Sequence, residues 1–247
     1  MKLLSIVIPA LNEEKYLPLL LNSLVKQTEK NFEVIVADGK SEDNTVQLAN
    51  SFKDRLTLKV IEVEKRNVAH QRNTGAKNAA GDYVAFMDAD FIVKDDFVKS
   101  CFEESVKTGA DLIIPSSLPI TNNWLWKMYF SLINFLCALS SFTGKPFGNG
   151  PGNLIKEEAF LKTGGYNEEV FVFEDQYFFT VAKRHHLKIK YDDNIKMYFS
   201  LRRLQKDGVW GYFYFNFSAA IRFILKGPVY KKFYDYQMGG QAKVVKK

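Results

Sequence analysis

The chain has 247 residues, 47% of them hydrophobic, enough for a sizeable core in one domain or two closely fused ones. No repeat or low-complexity tract is present, which excludes a solenoid. Two cysteines without a C-x-x-C exclude a disulfide scaffold, so Cys101 and Cys137, both in apolar contexts, read as inert thiols of a reduced compartment. The net charge of +6 is uneven. From Lys183 onward fifteen Lys/Arg face four Asp/Glu, a net of +11, whereas residues 1–182 carry nineteen against twenty-four, a net of −5. An acidic body with a basic, aromatic end points to an anionic partner: nucleic acid, anionic lipid or a phosphorylated substrate.

Met1–Leu4 enters a strand pattern at once, without a signal-peptide layout. Ser5–Ile8 is a short β-branched run. Asn12–Gln27 carries Tyr16, Leu17, Leu20, Leu21, Leu24 and Val25 at helical spacing, and Pro18 sets the regular start near Leu17. Phe32–Ala37 is a second strand ending at Asp38. Ser41–Asn44 offers N-caps for a helix through Phe52. Leu58–Val63 is a third strand, Val68–Ala79 a helix, Gly81-Asp82 a turn and Tyr83–Met87 a fourth strand. Continuous apolar strands alternating with helices predict an α/β fold with a parallel sheet covered on both faces.

Such sheets bind ligands beyond the carboxyl ends of their strands. Pro9, Asn12 and Glu13 follow the first strand, Asp38, Gly39, Ser41 and Asp43 the second, and Asp88 and Asp90 the fourth. Three polar clusters therefore converge on one edge. Neither G-x-G-x-x-G after the first strand nor G-x-x-x-x-G-K-[ST] occurs, which disfavours dinucleotide and P-loop sites. Asp88 and Asp90 repel each other. In an extended segment both point to one side, where either water solvates them or something positive, such as a hard divalent cation, sits between them.

"SIVIPALNEE", "VIVADGKSEDNT", "RNTGAKNAAGDYVAFMDAD" and "FEDQYFF" occur in the order found in family-2 glycosyltransferases, and the chain resembles that family over residues 4–190. The resemblance implies an inverting enzyme of the GT-A fold, a Rossmann-like nucleotide-binding sheet flanked by helices, using a UDP- or GDP-sugar donor. By resemblance, Pro9, Ala10 and Glu13 form the first nucleotide-contacting loop and Asp38 reads the base. Arg72 contacts nucleotide or diphosphate, Asp88 faces the ribose or sugar, and Asp90 binds Mg²⁺ or Mn²⁺. Asp175 is the general base. Other readings stand beside these: Asp38 as a helix cap, Glu13 as a first-turn dipole partner, Arg72 as a surface arginine, Asp175 as a helix N-cap near Phe173.

In the implied displacement, the Asp90-bound metal and Arg72 take up charge developing on the nucleoside diphosphate, and Asp175 accepts the acceptor hydroxyl's proton. Its pKa needs raising by apolar neighbours such as Phe171, Phe173 and Phe178, and by Glu174. A polyprenyl phosphate acceptor is already anionic, and Asp175 would then orient it. "FGNGPGN", Phe147–Asn153, suits close approach of backbone to a sugar, or a plain turn. Arg202 and Arg203 stand where processive synthases carry Q-x-x-R-W, which is absent; the pair suits a leaving diphosphate or a lipid-linked phosphate. His185 and His186 close a helix and read as dipole partners or surface residues.

Trp124–Phe142 is mostly apolar, with Lys127 and Asn134 inside it. It reads as an amphipathic helix on a membrane or an acceptor groove, or as a buried core helix. Val209–Leu225 repeats the theme and leads into Lys226, Lys231 and Lys232 amid tyrosines, which suits single-stranded nucleic acid and anionic headgroups equally; the family resemblance favours the headgroups. The expected organisation is a catalytic domain over 1–205, split into a nucleotide-binding half (1–95) and an acceptor half (96–205), with a basic, membrane-interacting extension over 206–247. The protein is expected peripherally on the cytoplasmic face of the cell membrane, acting on a lipid-linked or membrane-proximal saccharide. Two rival functions are a sugar-phosphate nucleotidyltransferase, which would want a glycine-rich basic loop after the first strand, and a non-catalytic membrane-binding module.

Overall fold

The computed structural model describes residues 2–142, 147–148 and 152–202, and beyond these 214, 218, 222–223 and 225–230. Four segments of the first half form as their patterns predict: β1 (Leu4–Ala10), β2 (Phe32–Asp38), β3 (Leu58–Glu62) and β4 (Tyr83–Phe86). Helices α1 (Leu17–Val25), α2 (Thr45–Asn50) and α3 (Val68–Lys77) lie between them, and Pro18 takes the first turn of α1. The second half adds β5 (Phe91–Val93), α4 (Phe97–Thr108), β6 (Leu112–Pro119), α5 (Trp124–Phe142), β7 (Leu154–Lys156), α6 (Glu157–Thr163), α7 (Glu174–Arg184) and β8 (Ile189–Phe199).

The eight strands among the described residues join one sheet in the order β3-β2-β1-β4-β7-β6-β8-β5. Only part of it is parallel. β1 pairs in parallel with β2 and β4, and β2 with β3, but β7 runs antiparallel to both β4 and β6, and β5 antiparallel to β8. The fully parallel expectation therefore holds through the first half, whereas in the second half only β6 and β8 pair in parallel. Apolar periodicity tells which faces are buried, not which strand becomes a neighbour, and β7 reaches β4 from far along the chain.

Both faces are covered. Leu4, Ile6 and Ile8 of β1 and Phe32, Val34 and Val36 of β2 pack with α1 and α4 in one core. Val7 and Ile35, on the opposite face, pack with residues of α3, α6 and α7 in the other. Gly75 lets α3 lie close on β1, for a Cβ there would come within 2.3 Å of Val7 Cγ1. That contact matters to the site because Gln71 and Arg72 ride on the same helix. Both cysteines are buried, and burial pushes the Cys101 thiol well above its ordinary pKa.

α5 has a core side and an exposed side. Phe130 and Cys137 are buried, and Asn134 Nδ2 donates to Ser117 O of β6 (2.9 Å). The other side exposes Leu125, Met128, Leu132, Phe135, Leu136 and Leu139. The helix is half core and half open apolar face. Among the described residues no helix is long and apolar enough to cross a membrane. Residues beyond 205 also touch the body: Phe171 N donates to Val229 O (3.0 Å) and the Phe173 and Phe223 rings lie 5.9 Å apart. Most of Val209–Leu225, Lys231 and Lys232 fall outside the described residues.

Candidate active site

The carboxyl ends of β1, β2 and β4 meet on one edge, as their parallel register requires. The loops after β1 and β2 are laced together. Gly39 N donates to Ala10 O (2.8 Å), Asn12 N to Ser41 Oγ (2.8 Å) and Glu13 N to Thr45 Oγ1 (2.7 Å). Pro9 sits where β4 has already left the ladder, so its missing N–H breaks no bond on that side. Asp38 is fully buried and accepts from Ser41 N (2.8 Å) and Ser41 Oγ (2.5 Å). It caps this turn rather than a helix, since α2 begins only at Thr45.

Asp88 and Asp90 are not on an extended segment. The chain turns here, with Phe91 N donating to Asp88 O (3.2 Å), so the same-side argument from spacing fails. Each carboxylate instead meets its own arginine. Arg72 Nη2 donates to Asp88 Oδ1 (3.2 Å) and Arg72 Nη1 to Glu174 Oε1 (2.9 Å), with the guanidinium 5.1 Å from the Tyr166 ring centre. Arg202 Nε contacts Asp90 Oδ2 (2.8 Å), while its two Nη groups donate to both Glu13 oxygens (2.5 and 2.7 Å). Its plane lies over Tyr16, 4.5 Å from the ring centre.

Arg72 is not the surface arginine of the plainer reading. It is completely buried, and although burial alone would lower its pKa, the neighbouring acids, Asp88 foremost, raise it. Its ion pairs join the β4 edge to the start of α7. Glu13 is likewise no mere dipole partner, since Arg202 takes its side chain. Burial raises the Glu13 pKa; the Arg202 hydrogen bond and charge oppose this, and the Asp90 and Asp88 charges add to it.

α7 starts after Phe173, whose left-handed backbone (φ 61°) is unusual for a bulky side chain. Phe173 is the N-cap residue, so Asp175 lies inside the first turn and is not the N-cap. Asp175 is buried. Desolvation, then the neighbouring Glu174 charge, push its pKa well above the ordinary carboxylate range, with Arg72 pulling the other way. Phe178 is buried beside it in sequence, whereas Phe171 is 45% exposed and does little to dry the acid. His185 is the C-cap of α7. Arg203 and, within Phe147–Asn153, residues 149–151 lie outside the described residues.

Three site residues escaped the sequence reading. Gln71 Nε2 bridges Ala10 O (2.7 Å) and Ala37 O (2.8 Å), tying the ends of β1 and β2. Tyr16 and Tyr166 supply the rings under the two arginines. Gln71 adjoins Arg72, which was its one signal; the tyrosines carried none. Among the described residues, Gln71 Oε1 and Arg72 Nε are buried without hydrogen-bond partners, a cost that calls for an explanation.

A hard divalent cation suits the oxygen chemistry of Asp88, Asp90 and Glu13, but no group of three such side chains among the described residues is arranged to hold one. Arg202 already engages Asp90 and Glu13. These residues fit a cation only as part of a set that nucleotide oxygens and water complete.

Residues 5–164 match the family described as Glycosyl transferase family 2. Over 99 residues (38% of this chain and 17% of the relative) the chain is 37% identical to the poly(ribitol-phosphate) β-N-acetylglucosaminyltransferase TarS of Staphylococcus aureus. It spans less than two thirds of the length of the curated relatives it matches. The S. aureus TarS structure in complex with UDP-GlcNAc superposes with a TM-score of 0.65 at 23% identity, covering 81% of this chain and 58% of that one. The mannosyltransferase PcManGT of Pyrobaculum calidifontis, in complex with GDP-Man and Mn²⁺, gives 0.67 at 17% identity, covering 88% and 64%. The buried Asp38, the paired loops and the arginine-braced acids thus lie on a GT-A fold, and the chain belongs to glycosyl transferase family 2.

Proposed function

We propose that this chain is an inverting glycosyltransferase that moves a sugar from a UDP- or GDP-sugar to a lipid-linked or membrane-proximal saccharide. One observation carries the reading. Arg72 links Asp88, at the donor edge, to Glu174, the immediate neighbour of the buried Asp175. Donor edge and candidate base are therefore braced by a single buried guanidinium.

Asp38 and the β1 and β2 loops receive the nucleoside, Asp88 the ribose or sugar, and Arg202, with Arg203, the leaving diphosphate. Asp90 holds Mg²⁺ or Mn²⁺, which when bound offsets charge on the diphosphate. Asp175 accepts the acceptor hydroxyl's proton, and its raised pKa makes it a stronger base than an ordinary carboxylate. The buried base and family membership favour transfer over nucleotidyl exchange or a non-catalytic role.

The catalytic domain is assigned to 1–205 and the basic extension to 206–247. The exposed apolar face of α5 and the net charge of +11 from Lys183 onward support peripheral binding to an anionic membrane, on its cytoplasmic face.

The test incubates the protein with UDP- and GDP-sugars and Mn²⁺ or Mg²⁺, and assays nucleoside diphosphate against pyrophosphate. Nucleoside diphosphate release that requires Asp90 supports the reading. Pyrophosphate release, or no binding of any nucleotide, would sink it.

A further inference from the structure

Arg202 is held more firmly than a residue waiting for a ligand needs to be. Three of its N–H groups are spent on two acids, both Glu13 oxygens and Asp90 Oδ2, and its face rests on Tyr16. Its backbone is tethered to the same loop: Ser200 N donates to Asp90 O (3.1 Å) and Arg202 N to Ser200 Oγ (3.2 Å). The arginine therefore follows Asp90 in any small motion of that loop, and only the side chain has to turn to let go.

We propose that Arg202 is a built-in counter-ion that occupies the cation's place at Asp90 and yields it only to a cation arriving with a nucleoside diphosphate. The proposal rests on the nucleotide-sugar reading above. Charge decides the order of events. A divalent cation entering alone must break the Arg202–Asp90 contact and sit beside the displaced guanidinium, two like charges in a partly buried place. A cation entering with a diphosphate brings its own anion. The guanidinium then trades Asp90 for diphosphate oxygens, to which its fork is equally suited, and the cation's added charge is offset within the site. Arg202 is thus a positioning residue that makes metal and donor binding interdependent.

The experiment measures Mn²⁺ binding to the full chain by the loss of the free-ion electron paramagnetic resonance signal, with and without UDP or GDP. In wild-type protein, Mn²⁺ alone should bind weakly and the nucleotide should strengthen it. Arg202→Gln removes the resident charge. Nucleotide-free Mn²⁺ binding should then tighten by on the order of tenfold, the equivalent of one charged hydrogen bond, while nucleotide affinity in Mn²⁺ falls by a similar factor. These opposite signs separate the exchange from simple damage to the fold, which would weaken both. If R202Q does not fold, Arg202→Lys, which keeps the charge but loses the fork, should give intermediate Mn²⁺ affinity.

Mn²⁺ binding in nucleotide-free R202Q or R202K that equals or falls below wild type overturns the proposal. The transferase reading is judged separately, by diphosphate release from wild-type protein. Tighter Mn²⁺ binding in R202Q without turnover of any UDP- or GDP-sugar would leave the exchange standing and remove that reading.

Discussion

Replacing Arg72 with methionine keeps much of the side-chain volume and deletes the charge. The Arg72 side chain is 2% exposed, while those of its partners Asp88 and Glu174 are 19% and 14% exposed. Deleting one member of a buried ion pair costs about 3–5 kcal/mol, because the remaining charge is left uncompensated. Water reaches both acids in part, so the lower end, about 3 kcal/mol, is expected. For a domain of this size that corresponds to a fall in Tm of about 6–12 °C. Thermal and urea unfolding at neutral pH give the number. The double variant R72M/E174Q, with one stranded charge neutralised, should recover at least about 1 kcal/mol, as coupled neighbours do. A loss in R72M below about 1 kcal/mol, the range of an exposed ion pair, would refute the picture of a buried brace.

Four further outcomes are expected. Asp175→Asn should leave donor binding intact and lower transfer to a hydroxyl acceptor by about 10²–10⁴-fold in single-turnover assays. The same substitution should raise Tm at neutral pH. The folded-state pKa of Asp175 lies above its ordinary value of 3.8, so wild-type stability is lost as pH rises through the folded value. The Tm advantage of D175N should therefore vanish near pH 3 and grow toward pH 7. Gly75→Ala places a methyl group 2.3 Å from Val7 Cγ1 and should cost about 1–3 kcal/mol in urea unfolding, despite alanine's better helix propensity. Leu132→Glu with Phe135→Glu, at positions 54% and 63% exposed, should leave Tm unchanged but cut sedimentation with anionic vesicles by about tenfold or more. Equal sedimentation would remove α5 from the membrane reading.

Much of the site was legible because its parts are local. Apolar runs broken by Asn12-Glu13, Asp38 and Asp88-Asp90 announced three strand ends. The alternation of strands and helices then implied that those ends share an edge, which β1, β2 and β4 bear out. Helix starts followed the same local logic, as Pro18 shows at α1.

Pairing over long sequence distance was not legible. Nothing in the spacing of Asp88 and Asp90 says that a turn separates them, or that Arg72 answers one and Arg202 the other. Gln71 reads like any polar helix residue until two carbonyls from different strands meet its amide. The antiparallel entry of β7 between β4 and β6 is of the same kind. Over the first half, the sequence by itself determined the elements, the buried faces and the polar edge, because hydrophobic period and turn chemistry act over a few residues. The tertiary structure alone decided which charges meet, because an ion pair depends on the fold bringing together residues such as Glu13 and Arg202, which no local pattern connects.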